Sequence, residues 1–307
     1  VIQLPPNKQP LINNMSHNPL YSNPNGFPLA NGTTLHMDLK AGDLANRVIT
    51  VGSPQRAKLI SEFFDKDQTT RHFTSSRGFV TYTGFYKGVP VSVVAIGMGI
   101  SMMDFFVRES RAIVEGPMAM IRYGTCGGIS PEANQGKIAL ASQGSGFIMR
   151  NPDAFDQYYH GSPTDSRVSN DAYHFYNIAP ADESLTNLLR KNITDDLGAD
   201  VLVEGVNVTA DSFYSSQGRI DDRFHDDNVG LINKIHAKYP NSKTLEMETF
   251  FLFHLAKVCT KKIKASAATI IVANRLDSAV IEDDVLQHLE QAGGHAVLKA
   301  IAEVSLD

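Results

Sequence analysis

Two cysteines, Cys126 and Cys259, are too few among 307 residues to staple a fold. That excludes a disulfide framework and points to a reducing compartment. A surplus of positive charge is also lacking: 28 Lys and Arg stand against 33 Asp and Glu, a formal net charge of -5. Polyanion binders usually show the opposite balance, so a nucleic-acid partner is not expected. No uninterrupted apolar stretch is long enough to cross a bilayer. Residues 1–30 lack the basic and apolar blocks of a secretory signal. The expectation is a cytoplasmic protein without a membrane partner. What is present, 42% hydrophobic and 20% charged residues, fits a globular chain able to bury a large core, as one large α/β domain or two small ones.

The first 34 residues are dense in Pro and Asn and read as an extended or partly disordered arm, with the domain proper over 35–307. Past Leu35, short β-branched runs recur at 47–51, 90–96, 118–123, 137–141, 201–209 and 266–273. Helix-period segments lie at 54–64, 100–114, 249–258 and 285–304, the first preceded by Ser53 as N-cap with Pro54 in the first turn. Strands alternating with helices predict a mostly parallel or mixed sheet covered on both faces. Residues 144–177 and 214–241 break the alternation and read as long loops of the kind that serve as lids or stay disordered.

Several short motifs have chemical potential, and each has a plainer reading beside it. In Val51-Gly52-Ser53-Pro54-Gln55-Arg56 a strand ends in glycine and an arginine follows one turn into a helix. Such a turn can hold an anion on helix N–H groups and a guanidinium; it is equally an ordinary strand-to-helix turn with a solvated arginine. Arg122-Tyr123-Gly124-Thr125-Cys126-Gly127-Gly128 sets an arginine at the end of an apolar run, where an unpaired charge is costly, beside glycines that admit a ligand closely. An anion site and a structural salt bridge both satisfy that pattern. Gly97-Met98-Gly99 is a glycine loop without the full dinucleotide fingerprint and without the acidic residue that would hold a ribose. Glu246-Met247-Glu248 offers carboxylates for a sugar diol, or simple charge complementarity at the following helix. Phe213 with Gln217-Gly218-Arg219 offers a stacking ring, an amide and a guanidinium for a pyrimidine edge, or an exposed polar turn.

In this order, with Ser76-Arg77-Gly78-Phe79 and Asn274-Arg275 added, the motifs resemble the nucleoside phosphorylase family, and within it the uridine-cleaving members of eukaryotic type. The likeness runs from about His36 to the C-terminal helix. It implies a single α/β domain with a central mixed, partly barrel-like sheet flanked by helices on both faces. It also implies phosphorolysis of uridine, with deoxyuridine or thymidine as further candidates, to uracil and ribose-1-phosphate in pyrimidine salvage. Phosphate would be held by Gly52, Arg56, Arg122 and Thr125, with Arg77 reaching in from a neighbouring subunit. Ribose would be held by Met247 and Glu248, and by His36 from across the interface on the 5′-hydroxyl. Uracil would be read by Gln217 and Arg219, packed by Phe213 and backed by Arg275. Purine-specific relatives carry an aspartate at the position of Arg275, which favours a pyrimidine here. Bacterial uridine enzymes have a glutamate after the cross-subunit arginine that helps bind a cation; Gly78 stands there in this chain, so no ion is expected.

The resemblance thus implies a homo-oligomer with a dimer as minimal active unit, a nucleoside and inorganic phosphate as the small-molecule partners, and neither cofactor nor metal. Arg122, Glu248, Gln217 and Arg219 would carry the catalysis, stabilising an oxocarbenium-like transition state and the departing uracil anion. The rival readings are a purine nucleoside phosphorylase, a nucleosidase of the same fold, a nucleoside-binding protein without turnover, and a Rossmann oxidoreductase.

Overall fold

The computed structural model describes residues 27, 29, 30, 32–160 and 171–307. The expected N-terminal arm therefore lies largely outside the described residues. Its described part is a two-stranded ribbon, β1 (Leu29–Ala30) against β2 (Thr33–Thr34). The first half of the domain then runs β3 (Arg47–Val51), α1 (Pro54–Ser61), β4 (Arg71–Thr74), β5 (Val80–Tyr86), β6 (Val89–Ala95), α2 (Ile100–Ile113), β7 (Met118–Gly128) and β8 (Ile138–Leu140). The second half runs β9 (Ser145–Arg150), α3 (Gln157–His160), β10 (Tyr173–Ala179), α4 (Glu183–Leu197), β11 (Leu202–Glu204), β12 (Val206–Ala210), α5 (Leu231–Lys238), β13 (Ser242–Glu246), α6 (Thr249–Val258), β14 (Ile263–Asn274) and α7 (Asp283–Glu303).

Strands β3 to β14 form one mixed 12-stranded sheet. Parallel pairing of β6, β3, β7 and β14 makes its centre, and antiparallel β5 and β4 extend one wing. The other wing is β13, β12, β9 and β10. Strand β7 joins the two. One of its edges is covered along its whole length by β14. The opposite edge is shared: β3 pairs with Ala119 to Arg122, and β13 pairs with Gly127 and Gly128. Between them the stretch from Tyr123 to Cys126 pairs with neither, so the sheet splits there. Two wings diverging from one strand leave a crevice at the carboxyl ends of β3 and β6, the place where open α/β sheets bind ligands.

Helices cover both faces, as the alternation predicts. Ala57 and Ile60 of α1, Leu185 and Leu189 of α4, and Val297 and Ile301 of α7 pack with Ile49, Val91 and Ile121 on one side. Met103 and Phe106 of α2 and Leu252 and Phe253 of α6 pack with Val48, Val94 and Met120 on the other. The central strands thus read as continuous apolar runs because both of their faces are buried. Helix α7 tolerates Gly293 and Gly294 in its interior, where each glycine costs about 1 kcal/mol relative to alanine. A Cβ at 293 would lie 2.0 Å from the Tyr123 hydroxyl oxygen, and one at 294 would lie 2.8 Å from Ile60, so the helix needs both glycines to lie this close to β7 and α1.

Three expectations need correction. Residues 144–177 are not one long loop: β9 lies within them and β10 begins there, paired antiparallel. In β9, Ser145, Phe147 and Ile148 are all buried, so the period-2 alternation that marks a half-exposed strand is missing. Within 214–241, α5 starts at Leu231 after Gly230, whose left-handed backbone supplies no side-chain cap to announce a helix. The run 201–209 is two strands, separated at Gly205, where a Cβ would meet the Asn241 carbonyl oxygen at 2.7 Å.

Candidate active site

A cleft of about 580 Å³ opens at the split in the sheet. Ten of the twelve residues singled out from the sequence line it: Gly52, Arg56, Arg122, Thr125, Phe213, Gln217, Arg219, Met247, Glu248 and Arg275.

Arg122 is the charged centre of the floor, on β7 where β3 stops pairing, and only 4% exposed. Its Nε donates to Glu246 at 2.9 Å and its Nη2 to Glu248, while Nη1 is buried without a partner among the described residues. Against burial, which opposes its charge, Glu248 and Glu246 hold the guanidinium more firmly protonated than usual. The two carboxylates differ in kind. Glu246 accepts from Asn207 Nδ2 at 2.9 Å, Thr209 Oγ1 at 2.5 Å and the backbone N–H groups of Glu248 and Thr249 at 2.9 and 3.0 Å. Burial favours its neutral form, but Arg122 and these donors outweigh that and keep it below the ordinary carboxylate range. Glu248 is pushed up by burial and by the charge of Glu246, with Arg122 opposing. Besides Arg122, it accepts from Gly99 N–H at 2.5 Å. Glu246 is therefore a fixed anion that anchors Arg122, and Glu248 is the carboxyl with capacity left for a ligand hydroxyl.

Beside this floor, Ser53 caps α1 by accepting from Arg56 N–H at 3.2 Å, as the sequence predicts, and Pro54 takes the first turn. Arg56 sends its side chain back under β7. Its Nε and Nη2 donate to Glu290 Oε1 at 3.1 and 2.7 Å, and its Nη1 points to the Tyr123 carbonyl oxygen at 3.5 Å. Gly97 and Gly99 adopt φ of 76° and 99°, a backbone that side-chain-bearing residues rarely take, and so the loop can turn its N–H towards Glu248. With Arg56, Arg122, Thr125 and the turn at Gly52 converging, this end of the cleft can hold a small dianion.

At the far rim, Arg219 donates from Nη1 to Gln217 Oε1 at 2.8 Å and to the Phe213 carbonyl oxygen at 2.5 Å, and stacks over the Phe213 ring at 3.7 Å. Arg275 donates to the carbonyl oxygens of Gln217 and Gly218 at 3.0 and 3.4 Å, fixing the backbone that carries the amide. Burial and then the charge of Arg275 lower Arg219 to about 10, which leaves it cationic at neutral pH. A ring, an amide and a guanidinium held this way can grip a flat heterocycle that carries carbonyls.

His36 and Arg77 do not line the cleft. Arg77 is exposed on the turn between β4 and β5. His36 stacks on Phe105 of α2 and hydrogen-bonds Glu109. Three acidic residues hold site residues in place: Glu246, Glu290 and Glu109. Glu246 sits within a motif noticed for other reasons. Glu290 is 234 residues from Arg56 and Glu109 is 73 from His36, separations that leave no local signal. Cys126 lines the cleft but is buried, and its thiol is pushed up to about 12, chiefly by that burial, which disfavours the thiolate. Among the described residues no cluster of His, Cys, Asp or Glu could hold a metal, and no helix is long and apolar enough to cross a membrane.

The family model of the phosphorylase superfamily matches residues 46–303. A DeoD-type purine nucleoside phosphorylase of Oceanobacillus iheyensis is 30% identical over 224 residues, 73% of this chain and 80% of that protein. Among solved structures, a uridine phosphorylase of the oomycete Phytophthora capsici is 40% identical and superposes with a TM-score of 0.85 over 92% of this chain and 98% of its own. A Trypanosoma brucei nucleoside phosphorylase, 22% identical with a TM-score of 0.69 over 91% of this chain and all of its own, shares the fold.

Proposed function

The chain belongs to the phosphorylase superfamily, and from that membership we propose that it cleaves uridine with inorganic phosphate, giving uracil and ribose-1-phosphate. The observation that carries the choice of base is the array of Gln217, Arg219, Arg275 and Phe213 at the rim of the cleft. The bond from Arg219 to Oε1 orients the Gln217 amide, leaving its NH₂ to donate to a uracil carbonyl and the second lone pair of the oxygen to accept from N3–H. Arg275 replaces the acid that would serve a purine. The 40% identity to an oomycete uridine phosphorylase supports the same reading, although the DeoD-type relatives are named for purines.

In this reading phosphate sits between Gly52, Arg56, Arg122 and Thr125, with Arg77 of a second copy closing over it. Three guanidinium groups neutralise the dianion and aim one oxygen at the anomeric carbon, so no side-chain nucleophile is needed. Met247 packs on the ribose and Glu248 accepts from its 2′- and 3′-hydroxyls. As the glycosidic bond breaks, electrons move onto uracil, and Arg219 with the Gln217 amide stabilises that charge. Protein groups and the phosphate account for each step without a cofactor. His36 and Arg77 stand away from their own cleft, which supports an active unit of at least a dimer with shared sites; the scarcity of cysteine supports a reducing compartment such as the cytoplasm. A panel of uridine, deoxyuridine, thymidine and inosine, each with and without phosphate, tests the assignment. Phosphate-dependent release of uracil is expected, and turnover of inosine alone would overturn it.

A further inference from the structure

Glu109 is a carboxylate 3% exposed in the middle of α2, and among the described residues its hydrogen bonds go to one dipeptide, His36-Met37. It accepts from the backbone N–H of His36 at 3.0 Å, from the backbone N–H of Met37 at 2.8 Å, and from the His36 ring at Nδ1, 2.5 Å away. A carboxylate buried this deeply is costly unless its oxygens are filled, and here a single peptide corner fills them. The imidazole is held from a second direction by Phe105, one helical turn earlier, with ring centroids 3.8 Å apart and planes 8° from parallel. Met37 is itself buried, which pins the corner to the core. The outcome is a histidine whose ring plane, rotation and tautomer are all fixed from its own chain. An ionised carboxylate at Nδ1 makes that nitrogen the donor. Nε2, which has no partner among the described residues, then faces outward.

The ring is fixed from two directions, by Glu109 at Nδ1 and by Phe105 on its face, while its second nitrogen is left unengaged. We propose that Glu109 is the positioning residue for His36, presenting Nε2 to the ribose 5′-hydroxyl in the cleft of the neighbouring subunit. The proposal rests on the reading that His36 serves that hydroxyl. Glu109 touches no substrate. It acts by holding the histidine at the angle the other subunit needs, and Phe105 supports the same ring.

Steady-state kinetics on uridine and on 5′-deoxyuridine isolate this role, because only the first substrate has the hydroxyl that His36 would meet. The readout is the ratio of their kcat/KM values. For the wild-type protein the ratio should be about tenfold, the scale of one well-aligned hydrogen bond. His36→Ala should bring it to near one. Glu109→Ala should do the same while leaving kcat/KM on 5′-deoxyuridine close to wild type, and Glu109→Gln, whose amide keeps one acceptor oxygen but sets an NH₂ group against these donors, should restore it only in part. Should Glu109→Ala fail to fold, Glu109→Asp, whose carboxylate stands one methylene further from Nδ1, is expected to lower the ratio likewise. A ratio that His36→Ala abolishes but the Glu109 variants leave at the wild-type value overturns the proposal alone. A wild-type ratio near one overturns the placement of His36 at the ribose, and the proposal with it.

Discussion

Replacing Gly124 by alanine tests how Arg122, the arginine proposed to bind phosphate, is held. A Cβ at position 124 would lie 2.6 Å from Arg122 Cζ, 2.6 Å from its Nη2 and 3.0 Å from its Nη1. Ordinary contact begins at 3.4 Å, so Cζ must move from 2.6 Å to 3.4 Å, a shift of 0.8 Å. The guanidinium is tied to Glu246 at 2.9 Å and to Glu248, so that shift strains both bonds and displaces the group from its position on the cleft floor. A displacement of roughly 1 Å in a positioning group can cost about 100-fold in rate, which corresponds to about 2.7 kcal/mol. Steady-state rates at saturating uridine and varied phosphate should therefore show kcat/KM for phosphate falling about 100-fold. The fold should survive, since overpacking by one methyl costs about 1–3 kcal/mol. Each kcal/mol lowers Tm by about 2–4 °C or less in a chain of this size. A folded variant whose phosphate kcat/KM stays within about threefold of wild type, about 0.7 kcal/mol, would refute the reasoning.

Arg219→Ala removes the cation proposed to meet the departing base and should raise the barrier by about 3 kcal/mol, lowering turnover roughly 150-fold. His36→Ala, which loses only a ribose contact, should cost far less. Similar mild losses in both would count against the assigned roles. Glu248, raised by burial and by Glu246, takes up a proton above the ordinary carboxylate range. The folded state holds that proton more tightly than the unfolded chain, so this group alone favours folding as pH falls through its raised pKa. Catalysis goes the other way, because the protonated acid accepts poorly from ribose hydroxyls. The kcat/KM ratio of uridine to 2′-deoxyuridine, in which the ionisation of phosphate cancels, should therefore decline as pH drops from neutrality towards the usual carboxylate range. A flat ratio would contradict this role.

The central strands and the capped helix α1 were legible because their signals are local: β-branched runs buried on two faces, and Ser53-Pro54 at a helix start. Most of the cleft was legible for a different reason. Gly52, Arg122, Thr125 and Glu248 sit in short motifs at strand ends, where chemistry and turn geometry coincide within a few residues. The missing parts depend on distance or context. Helix α4 had a readable cap in Asp182, which accepts from Leu185 N–H at 2.9 Å, but its apolar positions lie in a strongly polar stretch. Glu290 reaches Arg56 only because Gly293 and Gly294 let α7 lie close to β7, a packing fact no spacing rule encodes. Glu109 and His36 meet because the segment before β3 folds back over α2. Strands β9 and β10 of the second wing escape the sequence pattern because β9 is buried on both faces and shows no period-2 alternation.

The most direct test of the account follows uridine with and without phosphate, measuring uracil by absorbance, ribose-1-phosphate by ³¹P NMR and free ribose by ¹H NMR. The account predicts no uracil without phosphate and, with it, one ribose-1-phosphate for each uracil released. Uracil and free ribose appearing without phosphate, or hypoxanthine released from inosine while uridine stays intact, would contradict it.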